Sequence, residues 1–284
     1  MQPSVARSVF SALPRLATAL ALAAALLAPL AASGVTIDWV TVGTPGNAAD
    51  TAPNPNRCGP SGASPCGAVA YTYNIGKYEV TNAQYAEFLN KVAATDTNAL
   101  YNTGMGYDAT FGGITQSGVS GSYSYSVKSG FESKPVTYVS FWDAARFSNW
   151  LQNGQPTGLQ ASLTTEDGTY TGNSANCYPY DYTPGTLTDV GAYALSGSPS
   201  GTFDQGGNVW EWHEQIKYGS NRGLRGGAWL YYADGLAAGN SRIDYPALGS
   251  YSIGFRVASI PEPSTALLVL TGLLGLAARR RRCS

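Results

Sequence analysis

Ile75-Gly76-Lys77-Tyr78-Glu79-Val80-Thr81-Asn82-Ala83-Gln84-Tyr85 is the stretch from which the fold can be read. Residues 69–75 just before and within it alternate in the manner of a strand, and Tyr78, Glu79 and Val80 extend that pattern. Thr81 and Gln84 then stand at the spacing of a capping box, with Val80 and Tyr85 placed as a hydrophobic staple across it. Tyr85, Phe88, Leu89 and Val92 follow at helical spacing, so a strand runs directly into an amphipathic helix.

The same unit recurs further on. Residues 135–139 read as a short strand, Ser140 caps with Asp143 at the third helical position, and Ala144, Phe147, Trp150 and Leu151 mark a buried side. Residues 43–68 and 97–130 show no apolar period and read as irregular loops rich in turn-forming residues; so do most of residues 152–201. Three short strands are expected near the end, at residues 208–212, 224–229 and 252–257. The pattern is α+β: two helices, several short twisted strands and long loops.

Both ends of the chain have a composition that no folded core would use. Arg7 and Arg15 precede an almost unbroken apolar run over residues 16–32, followed by small residues through Gly34, which is the order of a secretory signal; a retained membrane anchor is the alternative. At the other end Pro261, Glu262 and Pro263 lead into an apolar run, residues 265–278, and four arginines, 279–282. As a helix that run would be about 21 Å long, short of a ~30 Å hydrocarbon core, and the arginines would stay cytoplasmic. The divisions are thus a signal peptide at 1–33, one domain at 34–259 and a tail at 260–284.

Composition narrows the function of the body. The whole chain carries 17 Lys and Arg against 18 Asp and Glu, but six of the basic residues lie in the two ends. The body keeps 11 basic and 17 acidic residues, a net charge of −6, with no basic stripe to neutralise phosphates, so a nucleic-acid partner is not expected. His213 is the only histidine, which excludes imidazole-built zinc or copper sites and leaves little basis for a histidine-dependent triad. Of four cysteines, Cys58 and Cys66 flank a Gly- and Pro-rich loop and suggest a local disulfide in an exported chain, leaving Cys177 and the tail residue Cys283.

Taken in order, residues 75–85, residues 135–150, Gly207-Asn208-Val209-Trp210-Glu211-Trp212, Arg225-Gly226-Gly227-Ala228-Trp229 and Gly254-Phe255-Arg256 resemble the formylglycine-generating enzyme, or sulfatase-modifying factor, family. The resemblance implies that family's fold, a branch of the C-type-lectin-like folds. It also implies, by position, a calcium site at Asp204, Gly207, Val209 and Glu211, two acidic side chains bracketing backbone carbonyls that suit a hard cation. The Glu211 carboxylate could equally accept backbone hydrogen bonds within a buried strand. Active members carry a copper-binding cysteine pair shortly after the Arg-Gly-Gly motif; Tyr231 and Leu236 stand there in this chain. Copper and cysteine oxidation are therefore not expected, and no catalytic residue is assigned.

The tail, in turn, closely resembles the PEP-CTERM sorting signal, which implies export across the inner membrane of a Gram-negative bacterium. It further implies removal of the tail by an exosortase and association with exopolysaccharide, extracellular matrix or the cell surface, with only a transient membrane contact. The leading functional reading is an exported, non-catalytic binding module, with Trp229, Tyr231, Tyr232, Asp234, Asn240 and Arg242 as its ligand-binding surface. Those aromatics could instead fill the core. The alternative function is a divergent enzyme that modifies secreted proteins in the family groove, its acids drawn from Glu211, Glu214, Asp234 and Asp244.

Overall fold

The computed structural model describes residues 34–48, 69–168, 187–194, 198, 200–230 and 241–260. Everything below concerns the unit that begins at Val35. It is α+β, as the sequence pattern implies.

The two long helices form where the capping signals stand. Thr81 accepts the Gln84 N–H at 3.3 Å, and the Gln84 side chain accepts the Thr81 N–H at 2.9 Å, closing the box that starts α1 (Asn82–Val92). After a five-residue helix α2 (Thr103–Tyr107), Ser140 and Asp143 make the equivalent pair at the start of α3 (Phe141–Gln152). Tyr85, Phe88, Leu89 and Val92 face inward from α1 and meet Phe147 and Trp150 of α3. Ring centroids of Phe88 lie 5.3 Å from Phe147 and 5.2 Å from Trp150. Phe255, near the end of the described chain, closes this cluster 5.3 Å from Phe147 and 6.3 Å from Tyr85. Aromatic pairs at such spacings are worth about 0.5–1.5 kcal/mol each beyond the area they bury.

Three small sheets surround this core. β1 (Trp39–Val42), β2 (Tyr73–Gly76) and β9 (Ala258–Ser259) form an antiparallel sheet in the order β1-β2-β9. β3 (Ile114–Ser117) and β4 (Ser124–Val127) make a hairpin. β5 (Trp210–Lys217), β6 (Asn221–Arg225), β7 (Arg242–Asp244) and β8 (Ile253–Gly254) form the largest sheet, in the order β7-β6-β5-β8, with β8 parallel to β5. Gly254 must be glycine there, because a Cβ would lie 2.7 Å from the Val136 carbonyl oxygen. A single π-helical turn, Ser162–Glu166, packs on α3 and is fastened by Arg146, whose Nε and Nη2 grip Glu166 at 2.8 and 3.0 Å.

Several expectations fail in informative ways. Residues 97–130 contain α2 and the β3–β4 hairpin rather than irregular loop alone; their alternating Ser, Thr and Gln carry no apolar period. The hairpin is held from outside instead, by Asn90 of α1, which both donates to and accepts from the Tyr125 backbone at 2.8 and 2.9 Å. Residues 135–139 are extended but form no ladder. Val136 N–H goes to the Val80 carbonyl, Tyr138 N–H to that of Ser250, and Tyr138 itself turns to a φ of 62°. Nor does β2 continue to Val80, whose N–H bonds Phe255. β5 runs five residues beyond Trp212 past an irregularity between His213 and Ile216, and β6 starts at Asn221.

Asp143 is fully buried at the start of α3, and burial pushes its carboxyl up to about 7 from the ordinary 3.8, although hydrogen bonds from Ser140 pull the other way. A raised acid favours the folded state while it is protonated. Its contribution is therefore complete below about pH 4 and is lost as the pH rises through about 7. Asp143→Asn keeps an oxygen for the Ser140 N–H. Thermal melts across that interval should show the variant losing less stability than the parent as the pH rises, and parallel pH profiles would contradict this.

Candidate functional site

The loop that enters β5 is shaped by backbone that side chains rarely adopt. Asp204 and Asn208 have φ of 58° and 57°, and Gly226 opposite them has 90°. A Cβ on Gly226 would lie 2.9 Å from the Gln205 carbonyl oxygen, so the Arg-Gly-Gly turn can close on this loop only with glycine. The Gly207 N–H then donates to the Gly226 carbonyl at 2.9 Å, and the Trp229 N–H to that of Asn208 at 3.1 Å. The Asn208 side chain accepts from and donates to the Thr188 backbone at 3.2 and 3.3 Å.

Beneath the loop lies a buried charged cluster. Arg256 aims Nε at both oxygens of Glu211, each 3.1 Å away, and Nη2 at one of them at 2.6 Å. The same guanidinium donates to the carbonyls of Gly76 at 3.2 Å, Lys77 at 3.0 Å and Phe203 at 2.8 Å. Burial works against its charge, but the Glu211 carboxylate beside it more than offsets that. Glu79, wholly enclosed, approaches Arg256 only to 3.9 Å, and neither of its oxygens has a hydrogen-bond partner. Burial first, and the Glu211 charge second, raise its carboxyl well above the ordinary range.

Calcium would have to use this loop. Glu211 acts on the Arg256 charge by direct contact, whereas Asp204 acts on it through its charge alone. Among the described residues no hydrogen bond reaches the carbonyl of Gly207 or Val209. The donors are all oxygen and fit a hard cation in kind. Two of the positions are partly engaged, however: Arg256 holds both oxygens of Glu211, and Asp204 accepts the Gly191 N–H at 2.5 Å. No group of three or more acids, histidines or cysteines able to hold a metal occurs among the described residues.

The expected ligand surface is reached only in part. Trp229, half-buried, stacks on Phe111 at 4.5 Å and 13°, with Tyr251 packed against both rings. Tyr138 joins them and bonds the Asp108 carboxylate through its hydroxyl. Trp229 thus serves the second, smaller core as well as the surface, while Arg242 is exposed on β7. Tyr231, Tyr232, Asp234, Leu236 and Asn240 lie outside the described residues, as do Cys58, Cys66, Cys177, Pro261, Glu262 and Pro263. His213 is exposed, and its Nδ1 accepts the Gln215 N–H at 3.2 Å. The residues that sequence reasoning missed are Glu79 and Arg256. Both stood inside quoted motifs, and a charged residue set in an apolar context, Tyr-Glu-Val and Phe-Arg-Val, was the available signal.

Residues 46–260 match the family described as the sulfatase-modifying factor enzyme 1-like domain, and residues 259–282 match the PEP-CTERM protein-sorting motif. Over 150 residues the chain is 28% identical to a protein of Mus musculus named inactive C-alpha-formylglycine-generating enzyme 2, covering 44% of this chain and 49% of that one. The protein of the same name from Bos taurus is also 28% identical over 150 residues, covering 44% and 50%. The chain spans about half the length of these curated relatives. A solved structure of CarF superposes with a TM-score of 0.46 at 20% identity, over 80% of this chain and 99% of that one.

Removing Arg256 leaves the Glu211 carboxylate without its partner, a change that costs about 3–5 kcal/mol at buried pairs. Arg256→Met should destabilise the protein by about that amount in denaturant unfolding. Adding Glu211→Gln should recover part of the loss, because no bare carboxylate then remains. Additive losses in the double variant would show that the two residues are not coupled.

Proposed function

The chain belongs to the sulfatase-modifying factor enzyme 1-like domain family, and from that premise we propose that its folded body is a non-catalytic binding module acting outside the cell. Its PEP-CTERM motif marks it for export and surface sorting by an exosortase-type system in Gram-negative bacteria. Sorting of this kind delivers the body to a setting of exopolysaccharide and surface proteins, and these are the partners the reading assigns to it.

The observation that carries the non-catalytic reading is chemical. Oxygen-dependent oxidation of a substrate cysteine needs a soft metal held by thiolate, and Tyr231 and Leu236 stand where the family resemblance puts the cysteine pair. Neither side chain can bind copper in that way. The relatives' printed name, inactive C-alpha-formylglycine-generating enzyme 2, is in keeping with this. Trp229, Tyr231, Tyr232, Asp234, Asn240 and Arg242 would supply ring area and polar groups of the kind that hold sugars. Calcium, bound by Asp204, Glu211 and the carbonyls of Gly207 and Val209, would fix the loop before β5 and supply rigidity rather than chemistry.

Two measurements test the reading on the detergent-solubilised full chain. Chelation should lower the melting temperature and added calcium should restore it; a melt indifferent to both removes calcium from the account. Retention on exopolysaccharide extracted from the producing organism should fall about tenfold in the Tyr232→Ala, Arg242→Ala double variant. Formylglycine produced from a cysteine-containing peptide in the presence of copper would overturn the non-catalytic reading altogether.

A further inference from the structure

The sheet from which the tail departs has two unlike ends. β1 and β9 run parallel on either side of β2, with Thr41 and Ser259 both level with Asn74. At one end of the ladder Trp39 pairs with Gly76, and charge gathers there. Asp38 and Lys77 lie just beyond that pair and share a backbone bond at 2.7 Å, and Arg256 donates to the Gly76 and Lys77 carbonyls. The other end, where Val42 pairs with Tyr73, has no charge: residues 39–48, 69–76 and 257–260 contain neither acid nor base. That end is a built surface. The Gly46 N–H donates to the Val69 carbonyl at 3.1 Å, and the Val69 N–H to the Asn47 side-chain oxygen at 3.0 Å. Gly43 fits so closely over Thr72 that a Cβ would lie 2.8 Å from the Thr72 Cα.

Apolar side chains stand open at this same end. Tyr71 rests edge-on against Tyr73, ring centres 6.4 Å apart, yet is 49% exposed. The β2–β9 register, carried one residue further, puts Ile260 level with Tyr73, and Ile260 is 58% exposed. The chain beyond Ile260 limits where this end can go. Only residues 261–264 separate it from the apolar run at 265–278, and four extended residues reach about 14 Å at most. As a helix that run is shorter than the hydrocarbon core, and a short span draws its flanking residues inward or thins the bilayer. The headgroup layer is about 5–8 Å deep on each side, so the sheet end is tethered at or just above it.

We propose that this uncharged end of the sheet, Tyr71 and Ile260 with the turn at residues 43–47, docks on the lipid headgroups of the membrane that holds the uncut tail. A tyrosine suits that depth, with its ring in the apolar boundary and its hydroxyl among the headgroups. Electrostatics select the same end. A body of net charge −6 is repelled by anionic lipid, and the repulsion is least where no acid stands. The proposal rests on the reading of the tail as a membrane segment. It gives the body a lipid-facing surface for as long as the tail remains attached.

The test is partition of the full chain onto vesicles of phosphatidylethanolamine and phosphatidylglycerol, the parent against a Tyr71→Ser, Ile260→Ser double variant. Both ends of the chain are common to the two proteins, so the difference reads the body alone. The variant should bind about tenfold more weakly with an unchanged melting temperature. That ratio should hold as salt rises, because no charge is lost. A Tyr107→Ser, Tyr218→Ser variant removes two exposed rings elsewhere and should partition like the parent. In Tyr71→Trp, the added fluorescence should be quenched by lipid brominated high on its acyl chains. Equal partition of parent and double variant, or an equal loss in the Tyr107→Ser, Tyr218→Ser control, overturns the docking surface while insertion of the tail stands. An unquenched Tyr71→Trp overturns it likewise. A parent that does not bind vesicles at all defeats the reading of the tail as well.

Discussion

A single guanidinium joins parts of the chain that are otherwise far apart. Arg256 reaches the end of β2 through the carbonyls of Gly76 and Lys77, the loop before β5 through Phe203, and β5 itself through Glu211. Five donors in a planar fork are the only side-chain equipment that can satisfy so many separate acceptors at once, which a lysine could not do. The cluster does not close perfectly. Glu79 lies beside Arg256 with its oxygens unmet, and the protein accommodates it by favouring the protonated acid. A buried ion pair of this kind adds little net stability over an apolar equivalent, but it defines one arrangement of β2, β5 and the intervening loop.

The aromatic core depends on the same segment. Phe255 precedes Arg256 and inserts between Tyr85 of α1 and Phe147 of α3, while Val257 returns to β2 through the Gly76 N–H. One short run thus plugs the helices, neutralises the charged cluster and pins the first sheet. The loop over β5 inherits its shape from that anchorage and from the Gly226 turn. Trp229 is tied to that loop through the Asn208 carbonyl, so the smaller core and the buried charge share one support.

Local chemistry was the legible part of the sequence. Thr81 with Gln84 and Ser140 with Asp143 announce their helices because a cap needs only residues three apart, and both boxes form as read. The β3–β4 hairpin was opaque because what holds it is Asn90, more than twenty residues away, acting through a side-chain amide. Residues 135–139 look like a strand in composition, yet their backbone bonds go to different segments in succession, a tertiary choice that no periodicity records. At the site, the family segments located Asp204 and Glu211 but gave no hint that Arg256 would hold one of them.

The position of Arg256 along the chain governs when the domain can close. Among the described residues Phe255 and Arg256 come after every helix and all but the last short strand, so the core lacks its plug and its counter-charge until the carboxyl end of the body is available. Contacts between segments this distant are slow to form and cannot be replaced by anything earlier in the chain. A polypeptide threaded across a membrane amino end first would therefore remain unclosed until residues 255 and 256 had emerged.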